Sequence, residues 1–413
     1  MIIELPFGDH VQIFNTDDFK PALNIGGRYR CDFPSPPGQN DIAAAVIGGF
    51  KNLLHLFQQS KILTIVNDGY RRTPTSVLLP IIWDYLKDGE FIIATGTHRV
   101  STDAELAEIF GESYAAVRPR LTIHDCYDDS SLQSIGTTSR GTPVMINKKA
   151  LEADLILTIN SVEPHFFAGF TGGRKSLIPG LASFKTIMAN HRLAKNTNSC
   201  VLNLETNPLH LDLEEGVQLL GDKPVLSIQC ITDRDGKLIE LFAGDMRMAF
   251  YQACEAAMKY YTIPVPKKYD VVIANCDPPL DVNLYQLQKA QEHGGRMVKD
   301  GGVLIVMGAC KEGVGSKYFM ELAAKYPTPQ SALTEGMADD SFGIHKLVKT
   351  ARQLQKFKVF YVTTLDDHEV EKVYFKSFKE ISEALRSAAK ELDGEVEVGI
   401  LEDAGYTVPV IKP

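Results

Sequence analysis

The amino-acid sequence predicts an α/β protein with two α/β domains and largely parallel β-sheets. Short apolar runs, typical of buried strands, recur along the chain with helix-like segments between them. Such alternation is typical of parallel sheets whose strands are joined by crossover helices. The runs that predict strands are KILTIVND, EFIIATGTH, PRLTIHD, PVMINKKALEADLILTIN, KYDVVIANCD, GGVLIVMGAC and KFKVFYVTT.

The length of the chain predicts more than one domain, because 413 residues exceed what one hydrophobic core usually organises. The segment YYTIPVPKKYD, with its two prolines and two lysines, separates a helix-like stretch from a new strand. We therefore expect an N-terminal α/β domain of residues 1–265 and a C-terminal α/β domain of residues 266–413. The active site is expected in the interdomain cleft, which the second domain closes.

Composition excludes several classes of protein. Hydrophobic residues make up 44% and charged residues 23% of the chain, as in ordinary soluble proteins, and the net charge of −9 disfavours nucleic-acid and membrane-surface partners. No run reaches the ~18 apolar residues of a spanning helix, and the N-terminus lacks a signal-peptide pattern, so the predicted location is cytoplasmic. The seven cysteines form no CxxC pair and predict neither a disulfide framework nor a cysteine metal site.

Polar residues follow several predicted strands, at Asp68, at 97–99 and at 161–165. Ligands of open parallel sheets bind at this carboxyl edge, so we expect one site built from several strand ends.

The segment NDGYRRTP places Asp68, Arg71 and Arg72 after a strand, with Pro74 suited to the first turn of a helix. A helix N-terminus flanked by arginines favours an anion, and a nearby carboxylate can bind ribose hydroxyls. The alternative is an N-cap aspartate with solvated arginines.

The segment ATGTHR presents His98 after a glycine turn at a strand end. Histidine suits acid–base chemistry because its ordinary pKa lies near neutrality. A lone histidine is more often structural, so this interpretation depends on the neighbouring motifs.

The loop SVEPHFFAGFTGGRKSLIPGLAS, residues 161–183, combines His165 with four glycines and Lys175. A phosphate-binding P-loop is excluded by spacing, because Arg174 stands between Gly173 and Lys175. A looser anion-binding loop stays open. The segment MANHRLA then places His191 on a predicted helix, and no histidine here matches classical zinc spacing.

In the second domain, NLYQLQKAQE places Tyr285, Gln286 and Lys289 on the start of a predicted helix. Gln286 and Lys289 are three residues apart and share a face. They are interpreted either as a solvated helix end or as a pair that binds a carboxylate.

Taken together, NDGYRRTP, ATGTHR, the 161–183 loop, NHRLA and YQLQK resemble the nickel-pincer lactate racemase family and its homologues. These motifs lie in order between about residues 60 and 300. The resemblance implies an isomerase that racemises or epimerises a 2-hydroxy acid, either lactate or a larger hydroxy acid or sugar acid.

Members of this family use a nickel-pincer nucleotide, a pyridinium bisthiocarboxylic acid mononucleotide that holds nickel and is bound covalently to a lysine. The resemblance implies that Lys175 is this lysine and that His191 ligates the nickel. It also implies that Gly172 and Gly173 let the backbone lie against a planar cofactor. The implied cofactor contacts also include Asp68, Arg71, Gln286 and Lys289, and the implied substrate contacts are Arg71, Tyr285, Gln286 and Lys289.

The resemblance implies catalytic roles for His98 and His165. The C–H beside the hydroxyl is too weakly acidic for easy proton removal, whereas its removal as hydride needs an acceptor and a base for the O–H proton. A planar 2-keto acid then forms, and one histidine on each side accounts for inversion. Trp83 is the only tryptophan, so an aromatic substrate wall from the second domain requires Phe or Tyr.

Two other functions fit parts of the pattern. A mononuclear metal hydrolase would use His98, His165 and His191, with Asp68 or Glu163 as a carboxylate ligand. A non-catalytic nucleotide-binding module would leave the histidines without a role. The expected partners are a small 2-hydroxy acid and the cofactor-biosynthesis proteins, and a homo-oligomer is compatible with the sequence.

Overall fold

The computed structural model describes residues 1–19, 22–58, 60–278, 280–392 and 394–412. The chain forms two compact units. Residues Phe33–Tyr260 form the central unit, and Met1–Asp32 together with Tyr261–Pro413 form the terminal unit.

The strands, numbered along the chain, are β1 (Ile2–Phe7), β2 (His10–Asn15), β3 (Leu23–Tyr29), β4 (Ile62–Asn67), β5 (Glu90–Ala94), β6 (Leu121–Ile123), β7 (Leu132–Thr137), β8 (Pro143–Asn147), β9 (Leu155–Ser161), β10 (Pro164–His165), β11 (Gly169–Phe170), β12 (Val225–Thr232), β13 (Leu238–Asp245), β14 (Thr262–Val265), β15 (Tyr269–Asn275), β16 (Val298–Met307), β17 (Lys358–Val362), β18 (Lys376–Phe378), β19 (Val396–Leu401) and β20 (Val408–Ile411).

The α-helices are α1 (Gln39–Phe50), α2 (Thr75–Leu86), α3 (Asp103–Phe110), α4 (Tyr114–Val117), α5 (Lys148–Glu152), α6 (Phe184–His191), α7 (Pro208–Gln218), α8 (Met246–Tyr261), α9 (Leu284–Gly295), α10 (Lys317–Lys325), α11 (Pro329–Thr334), α12 (Ile344–Leu354), α13 (Asp367–Glu371) and α14 (Ile381–Glu391).

The central unit contains a six-stranded sheet in the order β13-β12-β9-β4-β5-β6. Its strands run parallel except β13, which pairs antiparallel with β12 at one edge. Alternate residues of β4 enter two different cores, with Ile62 and Val66 in one and Leu63 and Ile65 in the other. Burial on both faces explains why these strands are continuous apolar runs in the sequence.

The terminal unit contains a second six-stranded sheet, in the order β18-β17-β16-β15-β19-β3, and all of its neighbouring strands are parallel. The prediction of an α/β protein with largely parallel sheets is therefore confirmed. The long run PVMINKKALEADLILTIN contains the separate strands β8 and β9 with the short helix α5 between them.

The predicted N-terminal domain of residues 1–265 differs from the central unit at both ends. Near residue 265 the difference is small, because the chain enters the terminal unit at Tyr261. The first 32 residues, however, belong to the terminal unit. They do so because β3 pairs with β19, from Leu23 opposite Val396 to Tyr29 opposite Leu401.

Three neighbouring strands of the central unit position the predicted site. β4 lies between β9 and β5, and the three strands are parallel. Their carboxyl ends therefore lie at one edge of the sheet.

Within the described part of the chain, no helix combines the length and the apolar character needed to cross a bilayer.

Candidate functional site

The carboxyl ends of β4, β5 and β9 carry residues that the sequence pattern selected. Asp68 and Arg71 follow β4, His98 follows β5 by four residues, and His165 follows β9 on the 161–183 loop. A backbone hydrogen bond from Gly96 N–H to Gly180 O, at 3.1 Å, joins the His98 turn to this loop. The predicted assembly of one site from several strand ends is consistent with this arrangement.

His98 is held by a buried carboxylate. Its Nδ1 lies 2.6 Å from Asp68 Oδ2, and the Asp68 side chain is 3% exposed whereas that of His98 is 45% exposed. The other oxygen, Oδ1, accepts a hydrogen bond from Tyr70 N–H at 3.2 Å. Because a carboxylate only accepts, Nδ1 of neutral His98 carries the proton and Nε2 keeps its lone pair. The Tyr70 ring also packs against the His98 ring, at 4.6 Å between centroids.

Nδ1 of His165 accepts hydrogen bonds, whereas Nδ1 of His98 donates one. It lies in a small antiparallel hairpin formed by β10 and β11, opposite Gly169. Its Nδ1 accepts hydrogen bonds from the backbone N–H of Phe167 at 3.4 Å and of Ala168 at 3.3 Å. Neutral His165 therefore carries its proton on Nε2.

Phe167 contacts three of the predicted functional residues. Its ring lies 4.4 Å from the His165 ring and 5.2 Å from the His191 ring, both in edge-to-face arrangements. Lys175 Nζ lies 5.5 Å from the centre of the same ring. The histidine base, the lysine anchor and the nickel ligand implied by the resemblance therefore surround one buried aromatic ring.

Buried amide side chains hold the segments on either side of this ring. Asn207 caps α7 and donates from Nδ2 to Phe167 O at 2.9 Å. Asn190, which directly precedes His191 at the end of α6, donates from Nδ2 to Asp212 Oδ2 at 2.8 Å. These bonds fix the backbone at Phe167 and at the end of the helix that carries His191.

Lys175 and His191 are both biased towards their uncharged forms. Burial lowers the pKa of the Lys175 amine well below its usual value, with further lowering by the positive charges of Arg71 and Arg174. Burial lowers the pKa of His191 to about 3. An uncharged amine is a nucleophile, and an uncharged imidazole is a metal ligand.

Gly172 and Gly173 are glycines because of the protein around them. Both have positive φ, +78° and +52°. A Cβ on Gly172 would lie 2.6 Å from Gln229 Oε1, and one on Gly173 would lie 2.7 Å from the Phe250 ring. These contacts within the protein, together with the positive φ, favour glycine at both positions. Their contact with a cofactor stays a prediction.

Arg71 is bonded to Glu163. Arg71 Nη1 donates to Glu163 Oε1, and both side chains are partly exposed. Among the described residues, Nε and Nη2 of Arg71 have no hydrogen-bond partner, so this edge of the guanidinium fork can bind a carboxylate.

Tyr285, Gln286 and Lys289 lie at the start of α9 in the terminal unit, where Asn283 Oδ1 caps the helix through Gln286 N–H at 2.9 Å. Burial raises the pKa of Tyr285 to about 12. Lys346, a buried lysine with no distinguishing sequence pattern, donates from Nζ to Tyr285 O at 3.0 Å. The substrate and cofactor roles of the three α9 residues stay predictions.

The metal hydrolase alternative requires metal-ligating side chains that lie close together. Across residues 1–19, 22–58, 60–278, 280–392 and 394–412, no group of three or more His, Cys, Asp or Glu side chains is arranged to hold a metal ion.

Trp83 stacks on Phe91, with 6.4 Å between ring centroids, in the core behind the sheet.

Tyr70, Phe167 and Lys346 contact predicted site residues, but the sequence pattern did not select them. Aromatic residues and lysines ordinarily serve packing or solvation, so their type alone does not indicate a site.

Comparison with known proteins identifies relatives along most of the chain. Residues 38–201 match the lactate racemase N-terminal domain, and residues 265–410 match the lactate racemase C-terminal domain. A lactate racemase of Thermoanaerobacterium thermosaccharolyticum is 30% identical over 421 residues, which covers 97% of each chain. A lactate racemase of Lactiplantibacillus plantarum is 34% identical over 284 residues, covering 67% of this chain and 66% of the relative. The solved lactate racemase apoprotein of T. thermosaccharolyticum superposes with a TM-score of 0.88 at 29% identity, and the match covers 100% of both chains.

Proposed function

The chain belongs to the lactate racemase family and is an isomerase, and on this premise we propose that it inverts the hydroxyl-bearing carbon of a 2-hydroxy acid by hydride transfer. The names of the relatives support lactate as the first substrate to test. A larger hydroxy acid or sugar acid is the alternative substrate.

We further propose that Lys175 and His191 hold a nickel-pincer nucleotide, Lys175 through a covalent bond and His191 as a nickel ligand. When bound, this group supplies an acceptor and donor of hydride. The donor set of the chain fits it, because an amine and an imidazole, both biased towards the uncharged form, lie beside the same Phe167 ring. Nickel binds imidazole nitrogen well. Asp68, Arg71, Gly172, Gly173, Gln286 and Lys289 are the further proposed contacts.

The observation that carries the proposal is the pairing of His98 with buried Asp68. The bond from Nδ1 leaves Nε2 with a lone pair on a side chain that is 45% exposed. His98 can therefore accept the hydroxyl proton of the substrate, and the buried carboxylate stabilises the imidazolium that results.

His165 supplies the second proton site in this proposal. It follows β9, and His98 follows β5, on opposite sides of β4 in the sheet. Inversion through a planar keto acid requires proton transfer on both sides of the substrate, so each histidine serves as base for one configuration and acid for the other. Arg71, with its unpartnered guanidinium edge, is suited to the substrate carboxylate.

The proposal is tested with protein co-produced with the cofactor-biosynthesis proteins. Single enantiomers of lactate and of larger 2-hydroxy acids are incubated with it, and both enantiomers are quantified by chiral chromatography. We expect loss of optical purity with at least one substrate. The exposed His55, in the central unit, provides a control, because His55→Ala should retain activity whereas His98→Ala and His165→Ala should lose about 10²–10⁴-fold. Retention of optical purity with every acid, in protein that carries the cofactor, would contradict the proposal.

A further inference from the structure

Arg174, the residue directly before Lys175, is wholly buried. Its exposure is 0%, and it is among the largest fully buried side chains of the described residues. Nη2 donates to Ala168 O at 2.8 Å, and Nη1 donates to Phe170 O at 3.2 Å and Gly172 O at 3.3 Å. The guanidinium carbon lies 4.3 Å from the centre of the Phe250 ring.

This burial is unusual because the charge is not neutralised by a contact. Among the described residues, Arg174 forms no salt bridge, and its Nε has no hydrogen-bond acceptor. Taking a guanidinium out of water is costly unless the charge is paired, and three neutral carbonyls and an aromatic face compensate only in part. A buried charge with this cost to stability makes Arg174 a candidate for a role beyond packing.

The three carbonyls that Arg174 binds all belong to the segment between His165 and Lys175. Ala168 O and Phe170 O flank Gly169 in the hairpin with His165, and Gly172 O belongs to the turn before Lys175. Arg174 and Lys175 then lie against different rings, Phe250 and Phe167. One side chain therefore ties the hairpin to the turn while the next residue reaches the site.

We propose that Arg174 is a positioning residue for Lys175: its buried guanidinium gathers the carbonyls of Ala168, Phe170 and Gly172 and so holds the turn that presents the Lys175 amine beside Phe167. This inference rests on the proposed function for its consequence, the covalent loading of Lys175. The geometry itself belongs to the chain without cofactor.

Arginine suits this role better than lysine does. Its planar fork carries five N–H donors in fixed directions and can bind several carbonyls at once, whereas an ammonium group is a compact point charge. Arg174→Lys should therefore keep the turn ordered only in part, and Arg174→Met should leave it without this support.

Arg120, which is partly exposed, provides a control of similar contacts in the same unit. Its Nη1 donates to Gly89 O at 2.6 Å, and its guanidinium carbon lies 5.5 Å from the centre of the Phe91 ring. Arg120→Met thus removes the same kind of contacts, an arginine bound to carbonyls and an aromatic face, at a position outside the 161–183 loop.

Hydrogen exchange of the cofactor-free protein tests the geometry. The amides to follow are Gly173 N–H, bound to Gln229 Oε1 at 3.1 Å, Lys175 N–H, bound to Gly172 O at 3.1 Å, and Ile178 N–H, bound to Arg174 O at 3.0 Å. In Arg174→Met, these amides should exchange at least tenfold faster than in the wild type. Peptides from β4, β5 and β12 should keep their wild-type exchange rates. Arg120→Met should leave the loop unchanged. Unchanged loop exchange in Arg174→Met, or equal acceleration across the whole unit, would overturn the proposal.

If Arg174→Met does not fold, Arg174→Lys decides. A local acceleration of at least threefold, confined to the loop, supports the proposal, and wild-type exchange in the loop overturns it.

Covalent loading tests the consequence. In protein co-produced with the cofactor-biosynthesis proteins, the fraction of Lys175 that carries the adduct is measured by peptide mass. Arg174→Met should load at least tenfold less than wild type, Arg174→Lys should recover part of the loading, and Arg120→Met should load fully. Equal loading of Arg174→Met and wild type would overturn the positioning role. Absence of adduct from wild type itself would contradict the proposed function instead, while hydrogen exchange still decides the geometry.

Discussion

The carboxylate of Asp68 lies 2.6 Å from Nδ1 of His98, and the carboxylate is buried whereas the imidazole is partly exposed. A buried carboxylate at this position does two things. It keeps the proton of neutral His98 on Nδ1, and it stabilises the imidazolium after His98 has accepted a second proton at Nε2.

Replacing Asp68 with asparagine is therefore expected to reduce kcat by about 10²–10⁴-fold. An amide can donate as well as accept, so the asparagine side chain stabilises the His98 tautomer that has its proton on Nε2, and that tautomer cannot accept the hydroxyl proton. Steady-state racemisation of the loaded enzyme measures the effect.

Asp103→Asn is the control for this change. Asp103 is an exposed carboxylate of the same unit that accepts a hydrogen bond from Tyr114 Oη at 3.0 Å. Its substitution should leave kcat within about twofold, since a surface polar change has little effect. An Asp68→Asn enzyme with wild-type kcat would show that the carboxylate does not assist His98.

The two half-reactions are expected to differ in rate. Neutral His98 has its lone pair on Nε2, whereas neutral His165 has its proton there, because Nδ1 accepts from Phe167 N–H and Ala168 N–H. His165 must change tautomer before it can act as a base. The enantiomer oxidised with His98 as base should therefore react roughly tenfold faster in single-turnover experiments, the rate difference that about 1.4 kcal/mol of barrier produces.

Variants assign the two half-reactions. His98→Ala should remove the faster oxidation and spare the slower one, and His165→Ala should do the reverse. Equal rates for both enantiomers in the wild type would refute the difference between the tautomers. If both variants oxidised both enantiomers as fast as wild type, the two histidines would not be the bases.

Lys175→Met is expected to stabilise the cofactor-free protein at pH 7. Burial, together with the charges of Arg71 and Arg174, lowers the pKa of Lys175 well below its usual value. The unfolded chain then binds more protons than the folded one up to about pH 10, so the lysine costs stability that returns as the pH rises. Thermal unfolding should show a midpoint on the order of 2–4 °C higher for Lys175→Met, with the gain shrinking towards pH 10.

Exposed Lys87, in the same unit, provides the control for this substitution. Lys87→Met should change the midpoint little at either pH. A Lys175→Met protein less stable than wild type at pH 7 would show that the amine contributes favourable contacts that outweigh its burial.

Asp403→Asn is expected to stabilise the terminal unit above pH 6. Burial raises the pKa of Asp403 to about 6, opposed by Arg30, and burial with the charge of Asp403 raises that of Asp277 to about 6. The folded pKa of Asp403 is above the unfolded value of about 3.9, so the folded protein favours the protonated carboxyl. The stability that this carboxyl contributes is therefore present at low pH and is lost as the pH rises through 6. Asn also tolerates the φ of +50° at this position.

Thermal unfolding at pH 7.5 and pH 4.5 measures the difference, which should be largest at pH 7.5. Asp270→Asn provides a control of opposite sign. At Asp270, burial is outweighed by hydrogen bonds from Lys299 Nζ at 2.7 Å and Glu397 N–H at 3.0 Å, so its pKa is lowered. Its substitution should destabilise the protein at pH 7.5. Equal effects of Asp403→Asn at both pH values would contradict the assignment.

The sheets of both units could be predicted from the sequence because their strands are buried on both faces. KILTIVND and EFIIATGTH became β4 and β5, with Asp68 and His98 just beyond them. The place of β3 could not be predicted this way. LNIGGRY carries two glycines and no continuous apolar run, and its partner β19 lies more than 360 residues further along the chain.

Candidate site residues could be predicted where the residue type and its motif indicate the chemistry. They could not be predicted where only the folded structure shows the contacts of the side chain. His98, His165, Lys175 and His191 stand out by type and motif. Arg174 does not, because an arginine beside a lysine in a loop ordinarily faces water, and only the fold shows that its guanidinium enters the protein. Phe167 is hidden for a similar reason, since its contacts depend on how α6 and the loop pack.

Racemisation in D₂O tests the proposed hydride transfer most directly. A single enantiomer with hydrogen at its hydroxyl-bearing carbon is converted by the loaded enzyme, and deuterium at that carbon is measured by mass spectrometry in the product enantiomer. If the hydrogen leaves and returns as hydride, the product keeps the hydrogen of the substrate while only its hydroxyl exchanges with solvent. Deuterium at that carbon in every product molecule would mean that the hydrogen leaves as a proton, and it would contradict the mechanism proposed for this chain.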